Sequence, residues 1–239
     1  MQILALDTST EWCSVAVGDG REWHVRDEHA GQAHSERILP IVRATLAEAG
    51  IALSQIDAIA FGAGPGSFTG VRIGCGVAQG LAFGADLPVI AIATLEALAQ
   101  QARRVHGWTT VVACLDARMR EVYAAMYMTC DGTNGSRNGD AWRALVEPLA
   151  TPPAALRLPS GHDGVCGAGN GYAAYPSLAA GLELAAVDAN LRPAAQSIGE
   201  LALPRLAAGE GVAAAHALPL YVRHRVALTT AEREAGARL

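Results

Sequence analysis

The chain contains no lysine; all 18 of its basic residues are arginine. That absence excludes a Walker A phosphate loop, a Schiff-base nucleophile and a lysine general base together, because each needs an ammonium group at a fixed place. Cysteine is sparse and poorly placed for cross-linking. The five (Cys13, Cys75, Cys114, Cys130, Cys166) are odd in number and form no CxxC pair, which argues against a disulfide framework or zinc knuckle and for buried structural thiols. No apolar run reaches the roughly 18 residues of a membrane span. MQILALD opens directly on a strand pattern without a basic leader, so a cytoplasmic location away from membranes is expected. The seven histidines include neither HxxxH nor HExxH, which leaves a metal site without support. Net charge is −5 and the arginines are dispersed, a pattern that disfavours gripping nucleic acid directly.

What is present suits an α/β protein. At 239 residues and 51% hydrophobic content, the chain can bury one large core or two of about 110 residues. Gln2 to Asp7 reads as a buried strand, followed by an antiparallel pair, Trp12 to Gly18 and Arg21 to Glu28, turning at Gly18-Asp19-Gly20. Ile38, Leu39, Val42 and Leu46 recur at helical spacing, with Ser35 as N-cap and Gly50 at the C′ position. Pro40 is harmless if it falls near that helix's first turn and kinks the helix otherwise. Further strands are expected at Asp57 to Gly62 and Pro88 to Ala93, then a helix from Thr94, capped by Thr94, to about Arg104. Pro193 to Ala208 reads as the last major helix, Asp131 to Asp140 as a hairpin tip, and Arg223 to Leu239 as a poorly ordered or exposed helical tail.

The richest segment is GAGPGSFTGVRIGCGVAQGLAFG, Gly62 to Gly84, where a glycine run at a strand end continues into a helical pattern from Thr69 to Phe83. Interior glycines cost about 1 kcal/mol each relative to alanine, so Gly74, Gly76 and Gly80 cost roughly 3 kcal/mol that something must offset. Either the backbone of Gly62 to Gly70 approaches a phosphate, or the helix presents a small-residue face to another helix; the pattern favours the second. Gly70, Gly74, Ala78 and Ala82 form one row at four-residue spacing and Gly76, Gly80 and Gly84 another. One row can face the chain's own sheet while the other meets a partner, or both can pack internally.

The second half begins again. Thr110 to Asp116 resembles Ile3 to Asp7, 109 residues earlier at the aspartates, and each is followed by a second strand, Glu121 to Met128 and Cys13 to Val17 respectively. GAGNG at Gly167 to Gly171 echoes GAGPG at Gly62 to Gly66. Two echoes in the same order point to an internal duplication. A strand ending in Asp at a tight turn, repeated beside a glycine-rich turn, is the layout of actin-like ATPases, in which such turns face nucleotide phosphates. Asp7, Thr8 and Ser9, Gly64 and Gly66, and Asp116 are the candidate nucleotide-facing positions, with Asp7 equally able to cap its own turn. A Rossmann site is disfavoured because the third glycine is misplaced and Asp86 precedes the next strand. Ser67 lies in PGSFTG rather than GxSxG, so capping is the favoured role for it and Thr69.

ILALDTSTEWCSVAV, AHSERILPIV, GAGPGSFTGVRIGCGVAQGLAFGADLPVIAIATLEALA, LDARMREVYAAMY and PLYVR together resemble the TsaB (YeaZ) family of bacterial tRNA threonylcarbamoyladenosine biosynthesis accessory proteins. The resemblance implies an α/β, actin-like ATPase (ribonuclease H-like) fold of two duplicated lobes, each a mixed sheet with flanking helices: residues 1–105 as the partner-binding lobe, 106–225 as the second lobe and 226–239 as a tail. It also implies a non-catalytic role. The paralogous transferase TsaD holds a metal through a His-x-x-x-His pair whose counterparts here are Thr94 and Leu98. The implied partners are a TsaD-type transferase and a TsaE-type ATPase, with tRNA met only indirectly, a homodimer when alone, and ATP or ADP only at the interface of the assembled complex. The implied partner face comprises His34, Ile38, Ile41 and Val42 on one helix and Thr69, Gly70, Ile73, Gly74, Val77, Ala78 and Leu81 on the next. The alternative is a nucleotide hydrolase or protease of the same superfamily.

Overall fold

The computed structural model describes residues 1–130 and 142–223. The expected hairpin tip at 131–140 and the tail beyond 223 fall outside them. Strand β1 (Ile3–Asp7) lies at the centre of a five-stranded sheet of order β3-β2-β1-β4-β5. It pairs antiparallel with β2 (Trp12–Gly18) and parallel with β4 (Ala58–Gly64); β3 (Trp23–His29) and β5 (Val89–Ala93) form the edges. β1 and β4 are unbroken apolar runs because both faces of the sheet are covered. Leu4, Leu6, Val15, Ile59 and Phe61 pack under α1 (His34–Ala49) and α2 (Phe68–Ala85). Ile3, Ala5, Ala58 and Ala60 pack on the opposite face against α6 (Ala195–Ala207) and Ala97 of α3 (Thr94–His106).

The second sheet repeats the first. Its order is β10-β9-β6-β7-β8, formed by β6 (Thr110–Asp116), β7 (Val122–Thr129), β8 (Trp142–Thr151), β9 (Cys166–Ala168) and β10 (Ala186–Asp188). β6 pairs antiparallel with β7 and parallel with β9, as β1 does with β2 and β4. The aspartates that end β1 and β6 and the glycine turns after β4 and β9 therefore occupy equivalent places, and the duplication read from their spacing is visible in the topology. Short helices α4 (Gly171–Ala174) and α5 (Ser177–Gly181) follow β9.

The helices do not respect the boundary at residues 105/106. Helix α6, expected in the second lobe, packs on the first sheet, while Leu95, Leu98, Ala99 and Ala102 of α3 pack on β6 and β7. The two helices form the layer between the sheets. Two caps also differ from expectation. Ala33, without a side-chain bond, precedes α1, so Ser35 lies inside the helix and Pro40 is in its second turn, where the Glu36 carbonyl loses its partner. Thr94 does not cap α3; its hydroxyl accepts the Gly64 N–H at 3.0 Å. Gly50 ends α1 in the left-handed conformation, φ 67°, as a C-terminal glycine does.

Candidate functional site

Gly62, Gly66, Gly70 and Gly74, from the end of β4 into α2, all lie against the turn that follows β1. An added Cβ at Gly66 would lie 2.5 Å from the Ser9 carbonyl oxygen, one at Gly74 2.6 Å from Thr8 Oγ1, and one at Gly70 inside the Thr8 carbonyl. At Gly62 it would overlap the Asp7 carboxylate. The Thr8 hydroxyl donates to the Gly70 carbonyl at 2.7 Å, and Ser67 N–H donates to the Ser9 carbonyl at 2.8 Å. The turn after β1 thus fills the space above the glycine run. Within this segment the Gly64 N–H donates to Thr94 Oγ1, the Ser67 N–H to the Ser9 carbonyl and the Gly70 N–H to Ser67 Oγ, all inside the lobe.

A cleft of about 1020 Å³ remains between the lobes. Ser9, Gly66 and Asp116 line it; Asp7, Thr8 and Gly64, also expected there, do not. Asp7 and Thr8 are each 1% exposed. Asp7 Oδ1 accepts the Ser9 N–H at 3.0 Å and the Ser9 hydroxyl at 2.8 Å, while Oδ2 is buried without a partner. Burial raises its pKa to about 6 despite the two Ser9 bonds. On the opposite wall Asp116 Oδ1 accepts the Arg118 N–H at 2.9 Å, and Arg118, Met119 and Arg120 all have left-handed φ of 52–61°. Three consecutive non-glycine residues in that region form a strained turn. The turn presents Met119, 58% exposed, at the cleft lip. Its neighbour across the cleft is the segment Leu220 to Arg223, whose Arg223 donates to the Ala117 carbonyl and to Glu121.

The two rows of α2 part company. Gly70, Gly74, Ala78 and Ala82 are buried against the first sheet. Gly76, Gly80 and Gly84 are exposed, and a Cβ at any of them would meet nothing within 4 Å. Of the expected partner face, Gly70, Gly74 and Ala78 of α2, and Ile38, Ile41 and Val42 of α1, are buried within the lobe. Amphipathic helices bury their apolar positions first on the sheet they cover, which is where those residues point. His34 is also buried, its Nε2–H donating to the Thr10 carbonyl at 2.7 Å. Thr69 is exposed, and Ile73, Val77 and Leu81 are half-buried at the rim. Phe83 is an apolar surface residue, 83% exposed, and Leu39, placed by spacing on the apolar stripe of α1, is 40% exposed instead of buried with Ile38 and Val42.

Ser67 caps α2, accepting the Gly70 N–H at 3.3 Å, as its turn context suggested. Thr94 and Leu98, the positions that the resemblance sets against the transferase's metal-binding pair, are both fully buried in the core. Neither Thr94, whose hydroxyl bonds the Gly64 N–H, nor the hydrocarbon Leu98 fits a metal centre. Among the described residues no cluster of three or more His, Cys, Asp or Glu is arranged to hold a metal, and no helix is long and apolar enough to cross a membrane. Cys13, Cys75, Cys114 and Cys166 are buried free thiols, with burial pushing Cys13 up to about 11 and Cys114 up to about 12. Unreactive structural cysteines are the expected result.

Known proteins match across most of this architecture. A family model for TsaD, tRNA N6-adenosine threonylcarbamoyltransferase, matches residues 25–230. The chain is 42% identical over 228 residues to the tRNA threonylcarbamoyladenosine biosynthesis protein TsaB of Escherichia coli (strain K12), covering 95% of this chain and 96% of that protein. The Haemophilus influenzae TsaB is 47% identical over 177 residues, 73% of this chain and 74% of that protein. A solved structure of YeaZ from Pseudomonas aeruginosa superposes with a TM-score of 0.84 at 43% identity, covering 92% of this chain and 99% of that one. Another, described as an uncharacterized protein with similarity to peptidase YEAZ from the same organism, gives 0.85 at 43% identity over 93% and 99%.

Proposed function

The chain belongs to the TsaB (YeaZ) family, and on that premise we propose that it is a non-catalytic accessory protein of tRNA threonylcarbamoyladenosine biosynthesis. In this reading it forms a heterodimer with a TsaD-type transferase, activates it and helps to recruit a TsaE-type ATPase. The observation that supports the docking face is the exposed row Gly76, Gly80 and Gly84. These glycines weaken a helix and nothing inside the lobe requires them. Close approach of a second helix supplies the missing reason. Thr69, Ile73, Val77, Leu81 and Phe83 border the row, and the same face serves a homodimer when the transferase is absent. Nucleotide enters only at the interface of the assembled complex, and tRNA is met through the transferase. Copurification with the transferase, followed by an assay of modified adenosine with and without this chain, tests the reading.

The description of one relative as peptidase-like and the raised pKa of Asp7 keep a second reading, an enzyme, open to test. That reading requires purified chain to turn over ATP or peptide, with the activity lost in Asp7→Ala. Turnover no greater than that of denatured protein rejects it.

A further inference from the structure

Residues Ala217 to Arg223 run along one flank of α2 and then across the mouth of the interlobe cleft. On the first lobe, Cys75 Sγ and Gln79 Nε2 donate to the Ala217 carbonyl at 3.4 and 2.9 Å. The Leu220 N–H donates to the Ala63 carbonyl at 2.7 Å, just ahead of the glycine turn. Arg72 Nε donates to the Tyr221 hydroxyl at 2.8 Å, and its guanidinium lies 3.8 Å above the Phe68 ring. On the second lobe, Arg223, with only 13% of its side chain exposed, donates to the Ala117 carbonyl at 3.0 Å and to the Glu121 carboxylate at 2.6 Å. Both acceptors flank the left-handed turn Arg118 to Arg120. The other cross-cleft ion pair there, Arg118 with Glu11 at 3.7 Å, is exposed and weak.

We propose that Tyr221 and Arg223 are positioning residues that make the turn between β6 and β7 the rear support of α2. A helix carrying this many glycines has little intrinsic stability and depends on tertiary ties. The strap supplies several along one flank of α2, and the near-buried Arg223 anchors the strap to a different sheet. The second lobe thereby sets the order of the helix proposed to meet the partner, without forming part of that face. The consequence for docking rests on the proposed function; the mechanical claim does not.

Hydrogen exchange on the isolated full-length chain separates the two. In Arg223→Gln, amides of residues 70–79 should exchange about tenfold faster, the equivalent of one charge-assisted hydrogen bond lost. In the milder Tyr221→Phe the rise should be about threefold. Amides of α1 should keep their wild-type rates, and thermal unfolding should stay cooperative in both variants. Faster exchange at residues 220–223 with unchanged rates at 70–79 would overturn the proposal. If α2 responds and affinity for the transferase falls in the same order, both readings are supported. If α2 responds and affinity is unchanged, the positioning stands and the docking face is wrong.

Discussion

Replacing Gly76 and Gly80 by alanine should strengthen the isolated chain while weakening its association with a partner. Both positions are exposed and an added Cβ touches nothing within 4 Å, so no existing contact is disturbed. Each substitution removes a helix-interior glycine, which stabilises by about 0.8–1 kcal/mol. The double variant should gain about 1.5–2 kcal/mol, and a chain of this length gains roughly 2–4 °C in melting temperature per kcal/mol. Urea and thermal unfolding read that gain. A helix seated against the bare row would meet two new methyl groups, and overpacking costs about 1–3 kcal/mol, or roughly 5- to 150-fold in dissociation constant. Titration against a TsaD-type transferase by calorimetry reads that loss. Unchanged affinity in a stabilised double variant would refute the docking row, and a destabilised variant would refute the claim that nothing inside the lobe needs these glycines.

Gly70→Ala, on the buried row of the same helix, should have the opposite effect on stability, a loss of about 2 kcal/mol or more, because its Cβ would overlap the Thr8 carbonyl. A melting temperature at or above wild type would contradict that packing. Asp7→Asn tests the buried carboxylate. Asp7 ionises near pH 4 when unfolded and near 6 when folded, so its penalty on folding is absent below pH 4, grows between pH 4 and 6 and stays above that, reaching about 3 kcal/mol. The variant should be more stable than wild type at pH 8 and lose that advantage by pH 4; an equal advantage at both would show that burial of charge is not the cause. Arg205→Ala should destabilise by about 2 kcal/mol by leaving Glu96, 9% exposed, without the partner 2.5 Å away that links α6 to α3. A loss below 0.5 kcal/mol in chemical denaturation would argue that Glu96 is solvated.

The duplication was legible because its markers are chemical. Asp7 and Asp116 close strands, and GAGPG and GAGNG follow the parallel neighbours of those strands, so two local echoes located both sheets. The assignment of helices to lobes was not legible: α6 is apolar on one face, and nothing in that pattern tells which of two similar sheets it will cover. The glycine helix shows the same division within one element. Four-residue spacing separated the rows Gly70/Gly74 and Gly76/Gly80, but spacing is symmetric with respect to the sheet, and only the close approach of Thr8 decides which row is inside. PLYVR contributes to the family resemblance, but its role as a strap is not legible there because it has no periodicity of its own; that role lies in Arg72, Ala117 and Glu121, all about 100 residues or more away. Met119 and its neighbours were hidden for a related reason, since three left-handed residues written as Arg-Met-Arg carry no glycine or asparagine to betray the turn.

The central claim is that the chain acts through a partner and performs no chemistry itself. A purified TsaD-type transferase, supplied with threonylcarbamoyl donor and unmodified tRNA, should modify adenosine only when this chain and the TsaE-type ATPase are added, and the Gly76→Ala/Gly80→Ala chain should restore markedly less activity than wild type. Equal modification by the transferase without this chain would contradict the claim.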